Sequence, residues 1–223
     1  MRLDLAERLR CPADHAPTPL IVVARAKRDR ELLEGFAGCP VCHLEARVRA
    51  GHVEFPSGVE SAVEGAGAAG HEASTGMAAR AGAWMPDLER LQALLGLAEP
   101  GGAVLLTGRY ASLGAALAAR ADVAVVTLQA DAPPDAEGVS AVLGAPRRVP
   151  FTDGTFRGAA LDAGLDAALA EDAVRTVSIG GRVLGAAALA RPAGTNELAR
   201  DAHEWVAARE AVPQAVPLSR RRE

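Results

Sequence analysis

An apolar run, Ala103-Val104-Leu105-Leu106, stops at Thr107-Gly108 and is followed by a stretch that carries Leu113 and Leu117 at helical spacing. A short apolar run bounded by glycine reads as a strand buried on both faces, and leucines four apart read as one side of a helix. Strand, glycine turn and helix make the opening unit of a doubly wound α/β domain, in which ligands bind beyond the carboxyl ends of the strands. Upstream, Asp87 is placed to cap a helix with Leu88, Leu91, Leu94 and Leu95 on its apolar face, ended by Gly96 and Pro100-Gly101-Gly102. Downstream, 122–128, 139–143, 158–161 and 182–189 read as further strands. Leu169, Ala173, Val174 and Val177 mark a helix broken by Gly180-Gly181. Leu198, Ala202, Trp205 and Val206 predict a late amphipathic helix with His203 and Glu204 on its solvated face, and 215–218 a short edge strand before Arg220-Arg221-Arg222. Alternating strands and helices predict a Rossmann-like, mainly parallel sheet covered on both faces.

The first sixty residues read differently. Leu3, Leu5 and Leu9 suggest a short element, 20–24 a strand, 27–36 a helix through Leu32, Leu33 and Phe36, and 44–48 and 52–55 two strands joined at Ala50-Gly51. Cys39-Pro40-Val41-Cys42 supplies half of a tetrahedral zinc site, because C-x-x-C lets two thiolates converge from one tight turn. Cys11 and His15 supply the other half, with Asp14 where a strict second C-x-x-C would place a cysteine; His43 is an alternative nitrogen donor. Two other readings stay open: a ribbon without metal, its cysteines packed as small apolar groups, and a C-x-x-C redox pair, which no βαβ pattern precedes here. Three cysteines, an odd number, weigh against a disulfide framework.

Residues 57 to 83, rich in Gly, Ala and Ser and including His71, read as a linker whose end docks through Trp84-Met85-Pro86. The expected organisation is therefore a small N-terminal zinc-ribbon-like β domain at 1–58, a linker at 59–85 and the α/β domain at 86–223. A net charge of −4 without a basic patch interleaved with aromatics disfavours nucleic acid as a partner. The charged opening Met1-Arg2-Leu3-Asp4 and the lack of a run near 20 apolar residues lead to the expectation of a cytoplasmic protein outside the membrane.

Two resemblances follow from these residues. LAERLRCPADH and GCPVCHLEARVRAGHVEF resemble the small zinc-ribbon family typified by the methyltransferase activator Trm112, with residues 46–53 in place of that family's hairpin. The likeness implies a structural zinc ion and a protein partner reached through the ribbon. From Asp87 to Ala190 the chain resembles class I S-adenosylmethionine-dependent methyltransferases, through Val149-Pro150-Phe151-Thr152-Asp153-Gly154-Thr155-Phe156, through Arg175–Val183, and through Pro100–Leu105. It implies S-adenosylmethionine as cofactor, Gly108, Tyr110, Gln129 and Phe151 as cofactor-binding positions, and Asp162 as the catalytic candidate.

The polar handles of that family are replaced here. Leu106 stands at the acidic position of the glycine loop, and Tyr110 and Ser112 stand at two of its glycines, which places the Tyr110 side chain in space the methionine moiety needs. Thr127-Leu128-Gln129 ends the second strand in place of an acidic residue, Gly144-Ala145-Pro146 follows the third, and Arg157 takes the place of an aspartate. The sequence thus supports a methyltransferase with a relaxed cofactor loop, an inactive scaffold serving as a partner or regulatory module, or a binder of another small molecule on the same frame.

Overall fold

In the computed structural model, which describes residues 1–56, 84–128, 136–144 and 147–211, sixteen segments of the chain form regular structure or tight turns. In chain order they are α1 (Leu3–Ala6), β1 (Ile21–Arg28), β2 (Glu31–Gly38), β3 (Glu45–Arg49), β4 (His52–Glu54), α2 (Leu88–Leu95), β5 (Ala103–Thr107), a 3₁₀ turn (Gly108–Leu113), α3 (Gly114–Ala121), β6 (Ala124–Leu128), β7 (Val139–Leu143), β8 (Phe156–Leu161), α4 (Ala167–Thr176), β9 (Val177–Ala186), β10 (Thr195–Arg200) and β11 (Glu204–Arg209). Residues 59–83 of the expected linker, Gln129 and the edge strand at 215–218 lie outside the described residues.

Among the described residues, all eleven strands join one sheet, in the order β1-β2-β3-β4-β7-β6-β5-β8-β9-β11-β10. From β4 to β9 neighbours run parallel, and the strands at both ends pair antiparallel. Every residue of β5 and β6 is buried, as continuous apolar strands at the centre of a covered sheet must be. Alternate side chains divide between two cores. Leu105, Val126, Val142 and Ala159 meet α4 and the N-terminal segment, whereas Val104, Leu106, Val125 and Leu184 meet α2 and α3.

The strands of the N-terminal unit continue this sheet. Val53 and Glu54 of β4 pair in parallel with Val142 and Leu143 of β7, and His52 Nδ1 accepts from the Ala141 N–H at 3.0 Å. Leu9, Leu32, Val48 and Val53 lie in the same core as Leu105 and Phe151.

Two helices expected from spacing are hairpins instead. Lys27 to Phe36 turns at Asp29, whose φ is +49°, and returns as β2. A side chain at Gly35 would strike the Val23 carbonyl, so glycine there permits the close strand contact that the leucine spacing masks. The stretch from 195 to 209 is the β10–β11 hairpin, and its turn is fixed by Asp201 Oδ1, which accepts from the N–H groups of His203 (2.8 Å) and Glu204 (2.9 Å). Gly180-Gly181 lies inside β9, beside a register shift against β8, rather than ending a helix. The Asp87 cap forms as expected, its carboxylate accepting from the Arg90 N–H at 2.8 Å.

Candidate functional site

The carboxyl end of β5 is where a doubly wound sheet places its ligand. Thr107 is followed by Gly108 at φ +51°, and a Cβ on Gly108 would overlap the Asp162 side chain, which reaches across from the end of β8. Asp162 is held from several sides. Its Oδ2 accepts from the Arg109 N–H at 3.1 Å, its Oδ1 accepts from Arg109 Nε at 2.6 Å and from the Ala163 N–H at 2.8 Å, and its own N–H donates to Thr107 Oγ1 at 2.8 Å. Arg109 Nη1 also donates to the Trp84 carbonyl at 3.2 Å. The space that a side chain at position 108 would need is filled by the Asp162 carboxylate.

A similar filling occurs at the end of β7. Gly144, at φ +92°, faces Phe55, whose carbonyl oxygen would lie 2.7 Å from a Cβ at that position, and the Phe55 N–H donates to the Leu143 carbonyl at 3.1 Å. A cavity of about 850 Å³, lined in part by Arg28, Arg30, Glu137 and Ser140, opens near the start of β7, at the opposite end of that strand from Gly144.

The structure thus brings Gly108 and Asp162 together and places Tyr110 and Phe151 elsewhere, in the two cores. Tyr110 does not project into open space beyond the strands. It is fully buried in the α2/α3 core, and its hydroxyl donates to Glu204 Oε1 at 2.9 Å. Burial first, then the neighbouring Glu204, push the Tyr110 hydroxyl well above the ordinary tyrosine range. Glu204 is buried rather than solvated, and its Oε2 accepts from Arg90 Nε at 2.7 Å. His203 stacks on Trp84 with ring centroids 5.3 Å apart. Phe151 is buried in the opposite core, edge-on to Phe156 at 5.0 Å. The partnership of Glu204 with Arg90 and Tyr110 carries no local sequence signal, because its links span long sequence distances.

The second constellation matches its expected members. One donor atom from each of Cys11, His15, Cys39 and Cys42 lies within 4.8 Å of all the others. Cys11 Sγ and Cys42 Sγ are 3.5 Å apart, as are Cys39 Sγ and His15 Nε2. A tetrahedral zinc ion with ordinary bond lengths requires S···S edges of about 3.8 Å and S···N edges of about 3.5 Å. His15 Nδ1 donates to the Ala16 carbonyl at 2.7 Å, which leaves Nε2, the atom facing Cys39, with its lone pair available. Burial pushes the Cys39 thiol up, but N–H groups of Cys42 and Val41 outweigh it and bring the thiol to about 7. Burial pushes Cys11 up to about 12. A bound cation would draw both toward the thiolate. The donor set fits zinc in number, type and spacing, and His43 is not part of it.

The quartet is tied to the α/β frame. Cys11 follows a segment that pairs Leu9 with Phe151; Arg10 N–H donates to the Pro150 carbonyl at 3.1 Å, and Thr152 N–H donates to the Arg8 carbonyl at 2.9 Å. Arg148 Nη2 bonds Asp14 at 2.8 Å.

No known family profile and no curated protein matches the chain. Solved structures with partial likeness include a mutant of MtNAS (13% identity, 56% of this chain and 59% of that one, TM-score 0.41). Others are geranyl diphosphate C-methyltransferase from Streptomyces coelicolor, crystallised with S-adenosyl-L-homocysteine (18% identity, 44% and 41% covered, TM-score 0.36), and the Haloferax volcanii complex of the Trm112 activator with a methyltransferase (19% identity, 44% and 54% covered, TM-score 0.32). The chain spans less than two thirds of the length of each of these three. Among the described residues, no helix is long and apolar enough to cross a membrane.

Proposed function

We propose that this chain is a methyltransferase-like scaffold whose donor-binding turn is occupied by its own side chains, and that it serves as a partner or regulatory module rather than as a methyl-transfer enzyme. The observation that carries this reading is the Asp162 carboxylate lodged over Gly108 and clamped there by Arg109. The residue types agree with it. Leu106 cannot accept a hydrogen bond where the resembled family has an acid, and the Phe55 carbonyl packs on Gly144 where that family places an adenine-binding aspartate. Each charge-assisted hydrogen bond lost is worth about 1.5–3 kcal/mol. Three such losses weaken donor binding by several powers of ten at about 1.4 kcal/mol per decade.

The N-terminal unit is the docking part in this reading, as a Trm112-like ribbon held in shape by zinc on Cys11, His15, Cys39 and Cys42. Ile21, Val23 and Val41 stand exposed on it, an apolar set suited to a protein partner.

A second reading, methyl transfer with Asp162 as the base or substrate ligand, is favoured by one observation. The Arg109–Asp162 pair is partly open to solvent, with side-chain exposures of 32% and 19%, so it can part without unfolding a core. Thermal unfolding in the presence of S-adenosylmethionine and S-adenosylhomocysteine decides between the two. The proposal expects no saturable rise in Tm, whereas a saturable rise overturns it, since any ligand bound to the native state stabilises by mass action.

A further inference from the structure

We propose that Cys42 is a site of reversible thiol oxidation, at which a hydroperoxide closes a Cys11–Cys42 disulfide and expels the metal from the Cys3His quartet. This rests on the zinc reading above and adds a chemistry to that site.

All three cysteines of the chain belong to the quartet, so any oxidation happens inside it. They differ in access: Cys11 and Cys39 are buried, with 2% and 3% exposure, and Cys42 is exposed. An oxidant arriving from solvent meets Cys42 first, since thiol oxidation follows exposure and thiolate character. The Cys11 sulfur lies 3.5 Å from that of Cys42. Disulfide formation asks the two atoms to approach by about 1.5 Å, to the ordinary S–S length near 2.05 Å. Cys42 sits at the tip of the β2–β3 connection beside His43, at φ +58°, where a small backbone movement disturbs no core strand. Cys39 is differently placed. Its sulfur faces His15 Nε2 at 3.5 Å, and its N–H donates to the Leu44 carbonyl at 2.8 Å.

The step balances with a hydroperoxide as the sole oxidant. The Cys42 thiolate attacks the peroxide oxygen, the O–O bond breaks, and the departing oxygen leaves as water or alcohol after taking a proton. The Cys11 sulfur then attacks the Cys42 sulfenic acid, the S–O bond breaks, and that oxygen leaves as water after taking a second proton. Two thiolates are oxidised and one peroxide is reduced. The site loses two of its four donors, and His15 with Cys39 alone does not retain zinc against competition.

The full-length chain is reconstituted with zinc, freed of excess, treated with hydrogen peroxide beside a chromophoric chelator, then digested under non-reducing conditions. The expected result is about one equivalent of zinc released, together with a cross-link between peptides 11–25 and 31–47, both reversed by a thiol reductant. Cys39→Ser, tested for the cross-link alone, still forms it, and Cys42→Ser does not. A zinc-loaded protein that keeps its metal, a cross-link that survives in Cys42→Ser, or a bond between Cys39 and Cys42 overturns the proposal. Failure of the reconstituted protein to hold zinc at all refutes the metal reading instead, and the peptide map of that metal-free protein still tests the Cys11–Cys42 bond.

Discussion

Gly108 shows how much a single position can fix. Its φ of +51° disfavours any side chain, and a Cβ would press into Asp162 as well. Gly108→Ala is expected to destabilise the fold by about 1–3 kcal/mol, read as a lower urea midpoint at unchanged slope. Tyr110 is the second such position. Tyr110→Phe removes the donor to Glu204 Oε1 and leaves Arg90 as that carboxylate's remaining side-chain partner, at an expected cost of about 1–3 kcal/mol in the same measurement. A neutral outcome for Tyr110→Phe would mean that the buried hydroxyl is not a structural bond. The metal quartet was legible at this scale because donor spacing carries chemical meaning by itself. The Tyr110–Glu204 bond was not, because its partners lie 94 residues apart and an exposed-looking Glu next to Asp201 and His203 gives no sign of burial.

Elements whose local signals agree with their surroundings are legible in the sequence, and those with a conflict are not. The central strands are continuous apolar runs, so 139–143 and most of 122–128 were recoverable from pattern alone. Lys27 to Phe36 shows leucines at helical spacing, but pairing with β1 brings the Val23 carbonyl against Gly35, and tertiary contact overrides the period. Residues 198–206 form hairpin strands in place of the expected helix for a related reason. Trp205 pairs with Gly185 of β9 and packs its ring there, and Asp201 builds the turn that makes the hairpin. The helix α4 offers a direct test of local signals. Asp166 Oδ1 accepts from the N–H groups of both Ala168 (2.9 Å) and Leu169 (3.3 Å). Asp166→Ala is expected to cost about 1 kcal/mol in chemical denaturation, whereas a change below a few tenths would show that packing of Leu169 and Ala173 alone holds the helix end.

In the molecule as a whole, one sheet and one shared core join the N-terminal strands to the α/β frame. The two parts are therefore expected to melt in a single cooperative transition, with far-UV dichroism and tryptophan fluorescence coinciding. Two separated transitions would mean that the parts are independent. Removing zinc from the quartet with a chelator is expected to lower that one Tm; the effect corresponds to about 2.7 kcal/mol when free metal stood a hundredfold above its Kd. The parallel pairing of β4 with β7 has one more consequence. Without β4, the backbone of Ala141–Leu143 would offer its unsatisfied N–H and C=O groups as a template to any neighbouring chain. The first fifty-six residues thus act as a selvedge that keeps the weave from catching on its neighbours, and a chain cut after Pro56 is bound for self-association even where every remaining fold-forming residue is intact.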